Sequence, residues 1–410
     1  IRHDVMEWPI YLDYAATTPT DPQVAVILSQ HLGQDGIFGN PSSNTHVFGR
    51  AAVRAVETAR THVAALLDID PGAIVWTSGA TEANNLALFG VMRAYARKGR
   101  HLVTSKTEHK AVLDVCRRLE REGCAITYLD PNSDGSLPLE RVAAALRPDT
   151  VLVSLMHVNN ETGVAQDLPT IGALVRNHGA LLHVDASQSA GKLPLDLQAL
   201  PVDLSSLSAH KLYGPKGIGA LVVRQRPVRV RLEPLLYGGG QERGLRAGTL
   251  PVHQIVAMGE ACRIARVEME AEQARIRRLR DRLWQGLAAL GDVELNGHPE
   301  RNVAGILNVS FAGIAAEALL DALPEIALAT GSACTSASHE PSHVLRAMAC
   351  DAMRMRGAVR FSLGRFTTVE EIDYTINAVT AAVTRLRELS PVWETRQGSP
   401  KYRAVDWAAP

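Results

Sequence analysis

The sequence predicts an α/β fold. A large domain carries a mostly parallel sheet covered by helices, and a smaller α+β domain follows it. Two observations predict this. Short apolar runs alternate with helical stretches from about residue 24 to 290, and those runs are rich in β-branched residues with little polar alternation. Strands buried on both faces read this way, and the βαβ rhythm supplies the helices that bury them.

The elements follow in order. Residues 73–78 (AIVWTS), 101–105 (HLVTS), 125–130 (AITYLD), 150–158 (TVLVSLMHV), 180–186 (ALLHVDA) and 202–209 (VDLSSLSA) are the expected strands. Residues 50–68 and 139–148 carry helical spacing between them. A long charged helix, 256–290, leads out of the sheet domain. Then come VAGILNVSF (303–311), EALLDALPE (317–325), VRFSLG (359–364) and a helix over 369–389, a mixture that suits the smaller domain. The last twenty residues hold Pro391, Pro400 and Pro410 without periodicity and are expected to be a loosely held tail.

Composition narrows the function. The 410 residues are 46% apolar, enough for two or three cores. Lys plus Arg equals Asp plus Glu at 43 each, which argues against direct nucleic-acid or membrane-surface binding. No apolar run approaches the ~20 residues of a membrane span, and no secretory leader is visible. The chain starts at Ile1 rather than Met. Its five cysteines are Cys116, Cys124, Cys262, Cys334 and Cys350; without a CxxC pair they indicate neither a zinc site nor a disulfide framework, and a reducing cytoplasm fits. Cys116, Cys124 and Cys262 read as packing residues; Cys350 is undecided.

Ligands of such sheets bind beyond the carboxyl ends of the strands, and the informative residues cluster there. Lys211 follows a strand end in SLSAHKLYGPKGIGAL (206–221), where a lysine can bond an aldehyde cofactor. In isolation a lysine is usually a surface charge; Asp185, at the end of ALLHVDA, changes the odds. A carboxylate there can hold the pyridine nitrogen of pyridoxal phosphate protonated and make the ring an electron sink; its plainer role would be a helix N-cap. TSGATEANNLAL (77–88) runs from strand into helix through small residues, as a phosphate cradle would, although a capped helix alone would look the same. Ser208 and His210 flank the lysine and can complete the cradle. His109, in TEHKAVL, sits at the same edge and can stack on a ring and move protons near neutral pH; a lone histidine is more often structural.

Taken together, SGATEANN, TEHKAVL, HVNNETGV, HVDASQSAGKLPLD, SLSAHKLYGPKGIGAL, GGGQERGLRAGTLPV, GSACTSASHEPSHVLRAM and VRFSLGRFTT closely resemble the cysteine desulfurases, in the housekeeping branch that feeds iron–sulfur cluster assembly. These are class V aminotransferase-like, fold-type I pyridoxal-phosphate enzymes. The likeness runs from YLDYAATTPTDP (11–22) to the tail. It implies a large cofactor-binding domain over 17–264 and a small domain over 1–16 and 265–410, the latter with a mobile loop at about 329–340. It implies pyridoxal 5'-phosphate held covalently on Lys211. Asp185 would face the ring nitrogen, Gln188 the ring hydroxyl, and Asn160 the cofactor and substrate. His109 would be the stacking acid/base. Ala80, Thr81, Ser208 and His210 would hold the phosphate, joined by Thr249 from the partner subunit of a homodimer. Arg360, with help from Asn40, would grip the substrate carboxylate, a task suited to a planar guanidinium.

The implied reaction removes sulfur from L-cysteine. Lys211 or His109 handles the proton, and Cys334 takes the sulfur as a persulfide, leaving L-alanine. The persulfide would pass to an iron–sulfur scaffold protein docking near the tail, and to relay proteins for tRNA thiolation. No metal is implied in catalysis, although Cys334 could ligate a cluster transiently on the scaffold. The small residues around Cys334, Gly331 among them, suit a cysteine that must travel. An aminotransferase or selenocysteine lyase on the same fold would need Cys334 less. A silent scaffold would have no use for Lys211, Asp185 and His109 together. Gln241, His339, His343 and the stretch 348–357 depart from close relatives, as does the end of the tail.

Overall fold

The computed structural model describes residues 9–225, 229–330, 342–391 and 393. Its strands are β1 (Ile10–Tyr11), β2 (Ile74–Thr77), β3 (His101–Ser105), β4 (Ala125–Leu129), β5 (Thr150–Met156), β6 (Leu181–Asp185), β7 (Leu204–Ser208), β8 (Gly219–Val223), β9 (Val293–Leu295), β10 (Ile306–Phe311), β11 (Ile326–Ala327), β12 (Ala329–Thr330) and β13 (Ala358–Ser362). The helices are α1 (Pro22–Ser29), α2 (Val47–Leu66), α3 (Ala80–Ala94), α4 (Lys110–Arg121), α5 (Leu139–Ala145), α6 (Leu168–His178), α7 (Val252–Ala288), α8 (Ala316–Asp321), α9 (His343–Ala347), α10 (Ala352–Arg356) and α11 (Val369–Glu388).

Seven strands form the large sheet in the order β2-β8-β7-β6-β5-β3-β4. All pair in parallel except β8, which runs against both neighbours. Because Gly219 of β8 pairs with both Thr77 and Ser208, that strand starts at the edge where β2 and β7 end. Apart from the edge strand β4, where only Leu129 is buried, the strands bury side chains on both faces. Ile74, Trp76, Val153, Val184 and Leu207 join α2 and the first half of α7 in one core. Val75, Leu102, Leu152 and Leu221 join α3 and α4 in the other. That double burial explains why these strands read as continuous apolar runs.

The expected α/β class and the six expected strands are present, with ends trimmed by a few residues. Two details differ. The helix expected over 139–148 stops at Ala145, and Leu146 is already extended at ψ 123°. Pro148 lies two residues on, and the residue before a proline is biased away from helix. Strand β8 went unrecognised because its GALVV run is continuous with the glycine-rich turn before it.

Helix α7 is 37 residues long and leaves the large sheet to reach a second core. There Ile276, Leu279, Leu283 and Leu287 pack with Val309, Phe311, Val359, Phe361 and the inner face of α11. The second sheet has the order β12-β13-β10-β9 and is antiparallel. α11 starts with a full capping box, Thr368 with Glu371, which fixes where its buried stripe begins. Strand β13 brings Arg360 to the large sheet's carboxyl edge. The Cys334 loop (331–341) and the tail beyond 393 lie outside the described residues.

Candidate active site

Five strand ends deliver the predicted residues to one place. A cavity of about 520 Å³ opens at the carboxyl edge, lined by residues that include Ala80, Thr81, His109, Asn160, Asp185, Gln188, Ser208, His210, Lys211 and Arg360. Asn40 and Thr249 do not line it; both are exposed on this chain. Asn40 spends its side-chain oxygen on the backbone N–H of Ser42.

Asp185 is the last residue of β6 and is nearly buried. Its Oδ1 accepts from the Ser187 backbone N–H at 2.9 Å and the Ser187 hydroxyl at 2.5 Å. Its Oδ2 accepts from Asn84 Nδ2 at 2.8 Å. These donors fix the plane of the carboxyl group. Asn84 projects from α3, is wholly buried and lines the cavity, and its Oδ1 has no hydrogen-bond partner among the described residues.

Lys211 sits in the single turn after β7 and donates from Nζ to the carbonyls of Ala15 and Ala16, each at 2.7 Å. Gln188 Nε2 donates to the same Ala15 carbonyl at 2.8 Å, while its Oε1 accepts from Lys192 Nζ at 2.8 Å. The segment after β1 is thereby drawn against the lysine.

His109 caps α4, its Nδ1 accepting from the Ala111 N–H at 3.1 Å. The proton of the neutral ring therefore sits on Nε2. Burial lowers its pKa, opposed by nearby Asp185 and reinforced by Lys211. His210 is pushed down to about 4 by burial, with Lys211 and Lys216 adding to the effect, and its Nδ1 meets the Thr17 hydroxyl at 3.1 Å.

The start of α3 is built for an anion. Gly79 is its N-cap, at φ 153°, and no side chain caps the helix. The capping-box flavour of this segment is only half realised, since Glu82 accepts from the Ser78 N–H at 2.7 Å but no reciprocal side-chain bond exists. Uncapped N–H groups and the helix dipole remain to meet a phosphate, and a Cβ on Gly79 would approach the Ser208 hydroxyl at 3.8 Å.

Arg360, on β13, donates to Asp13 at 2.7 Å and to the Asn160 carbonyl at 2.8 Å. Its Nε is buried with no hydrogen-bond partner among the described residues. Asn84, Ala15, Ala16 and Lys216 line the cavity without having been singled out in the sequence. Of these, Asn84 carried a signal, four residues into the helix after Ala80.

An open α/β sheet with an acid, a lysine, a histidine and an uncapped helix N-terminus round one cavity defines a pyridoxal-phosphate enzyme by its class of site. The model of the aminotransferase class-V family matches residues 10–375. A cysteine desulfurase IscS from Shewanella loihica is 56% identical over 403 residues, 98% of this chain and all of that protein. One from Klebsiella pneumoniae is 57% identical over the same span. Among solved structures, a NifS-like protein superposes with a TM-score of 0.86 at 35% identity, covering 92% of this chain and all of that one. The protein titled SspA in complex with cysteine superposes with a TM-score of 0.77 at 36% identity, covering 88% of this chain and all of that one. The chain belongs to the class-V aminotransferase family, in its cysteine desulfurase branch.

Proposed function

We propose that this protein is a pyridoxal-phosphate-dependent cysteine desulfurase that moves the sulfur of L-cysteine onto Cys334 and releases L-alanine. One observation carries the reading: Asp185, Lys211, His109, the bare α3 N-terminus and Arg360 surround a single cavity. The identity to proteins named as cysteine desulfurases supports it.

The residues fit the cofactor. Asp185, oriented by three donors, suits a protonated ring nitrogen; the α3 N-terminus, Ser208 and His210 suit the phosphate; Gln188 suits the ring hydroxyl; Lys211 is the covalent anchor. When bound, the cofactor supplies a sink for the electrons of the substrate's α-carbon. The chain does the rest. Arg360, steered by Asp13, offers N–H groups that Asp13 and the Asn160 carbonyl leave free to the substrate carboxylate, with Asn160 beside it. Lys211 Nζ takes and returns the α-proton, and His109 stacks and donates from Nε2. Cys334 supplies the thiolate. The substrate Cβ–S bond breaks, an S–S bond forms at Cys334, and Cβ gains a proton, so atoms and electrons balance with alanine and a persulfide as products.

In this reading 17–264 bind the cofactor, while 1–16 and 265–410 form the domain that presents Arg360 and Cys334. The enzyme works as a homodimer in which Thr249 of one subunit completes the phosphate site of the other, which agrees with its exposure on the single chain. The persulfide passes to an iron–sulfur scaffold protein docking near the tail and to relay proteins for tRNA thiolation, in the cytoplasm. The test is the absorbance of the purified protein. A cofactor band that shifts with L-cysteine is expected; a colourless protein that fails to take up pyridoxal phosphate sinks the reading.

A further inference from the structure

The described chain resumes at Ser342, eight residues after Cys334. Its first two side chains both bond to segments that build the cavity. Ser342 Oγ lies 2.5 Å from Glu161 Oε2, and both residues are buried. His343 Nε2 lies 3.0 Å from the carbonyl of Glu108. Glu161 follows Asn160, and Glu108 precedes His109, so each contact is one residue removed from a group that lines the cavity.

Ser342 Oγ donates to Glu161 Oε2 and also accepts the Leu345 N–H at 3.1 Å as the cap of α9. Glu161 is held rigidly in turn. Its N–H donates to Asn159 Oδ1 at 2.9 Å, and its carbonyl accepts from Asn308 Nδ2 at 3.1 Å. Asn159 Nδ2 reaches the Thr107 carbonyl at 3.0 Å, tying the two cavity segments together. Met156 N–H donates to Glu108 Oε1 at 2.9 Å.

A carboxylate buried without a matched cation is costly, and a packing role would be served better by an apolar side chain. Burial pushes the Glu161 carboxyl up to about 7, with Ser342 and Arg360 opposing the rise. We infer that Glu161, through its hydrogen bond to Ser342, is a positioning residue for sulfur transfer: it holds the chain from Ser342 onward against the segment that carries Asn160. This rests on the desulfurase reading. These two contacts fix Ser342 and His343, the first described residues after Cys334, against the segments that build the cavity.

The test uses the full-length holoenzyme and separates substrate binding from transfer. L-cysteine binding is titrated by the cofactor absorbance, and persulfide on Cys334 is followed by rapid quench and mass spectrometry. Glu161→Met removes the acceptor but leaves the α9 cap intact; Ser342→Ala removes the donor and the α9 cap with it. Both should bind cysteine within about twofold of wild type and transfer sulfur about tenfold more slowly. Ser342→Thr should recover most of the rate, and Glu161→Met/Ser342→Ala should be no slower than either alone. Wild-type transfer rates in Glu161→Met, a matching loss of cysteine binding, or multiplied defects in the double variant each overturn the proposal. Should Glu161→Met fail to fold, the Ser342→Ala and Ser342→Thr pair decides it by the same readouts. A wild-type protein that makes no alanine or persulfide overturns the functional reading itself.

Discussion

Asp13 steers Arg360: the carboxylate Oδ1 lies 2.7 Å from Arg360 Nη2, and the Asn160 carbonyl takes Nη1 at 2.8 Å. The guanidinium is thereby locked, and its buried Nε has no hydrogen-bond partner among the described residues. Arg360→Lys keeps the charge but loses the fork. The KM for L-cysteine should rise at least about tenfold with a smaller change in kcat, the signature of lost uniform binding. Steady-state alanine production measures both. An unchanged KM would remove Arg360 from the substrate site.

Asp185 is a second point of test. Asp185→Asn preserves shape but removes the carboxylate that, in the proposed function, faces the ring nitrogen. Alanine formation should fall about a hundredfold or more while the protein still binds pyridoxal phosphate. Asn84→Ala should give a smaller loss, because Ser187 continues to donate to Oδ1.

The fold near the cavity depends on a distant pair. Arg60 meets Glu242 in a bidentate contact at 2.8 and 3.0 Å, both side chains buried, and Glu242 also accepts the Trp76 N–H at 2.9 Å. Glu242→Ala leaves the buried Arg60 with only the exposed Glu57 carboxylate and the Ile74 carbonyl, and takes away the acceptor of the Trp76 N–H. It should cost about 3–5 kcal/mol, read as a lower urea midpoint.

His183 gives the protein a pH signature. It sits wholly buried in β6, with Nδ1 at 2.8 Å from the Ser154 hydroxyl and Nε2 at 2.9 Å from that of Ser206. Burial pushes it down to about 4 from the ordinary 6.5, with Asp185 opposing. The unfolded chain therefore takes the proton first. The contribution is complete above about 6.5 and is lost as pH falls towards 4. Unfolding free energy should drop by about 1–2 kcal/mol more between pH 7 and 5 in wild type than in His183→Gln.

Much of this was legible in the sequence, for physical reasons. Strands buried on both faces write continuous apolar runs, so six of the seven strands of the large sheet stood out; β8 was masked by the glycines leading into it. Lys211, Asp185 and His109 each follow a strand end, where such sheets bind ligands. The cavity brings them together with the α3 N-terminus, as their order in the chain implied. What stayed hidden is chemistry between segments far apart in sequence. Nothing local says that Glu161 meets Ser342, that Asn84 orients Asp185, or that Arg60 pairs with Glu242. These bonds span 101 to 182 residues and exist only once the sheets and α7 are assembled. The expected roles of Asn40 and Thr249 likewise lie beyond the cavity that one chain forms.

The central claim is that Cys334 takes the sulfur. Its most direct test is to incubate the holoenzyme with L-cysteine, quantify alanine, and look by mass spectrometry for one added sulfur on the peptide containing Cys334, in wild type and in Cys334→Ala. The expected result is alanine with a matching persulfide on Cys334 in wild type, and retained cofactor with collapsed sulfur transfer in the variant. Undiminished sulfur transfer by Cys334→Ala would contradict the account.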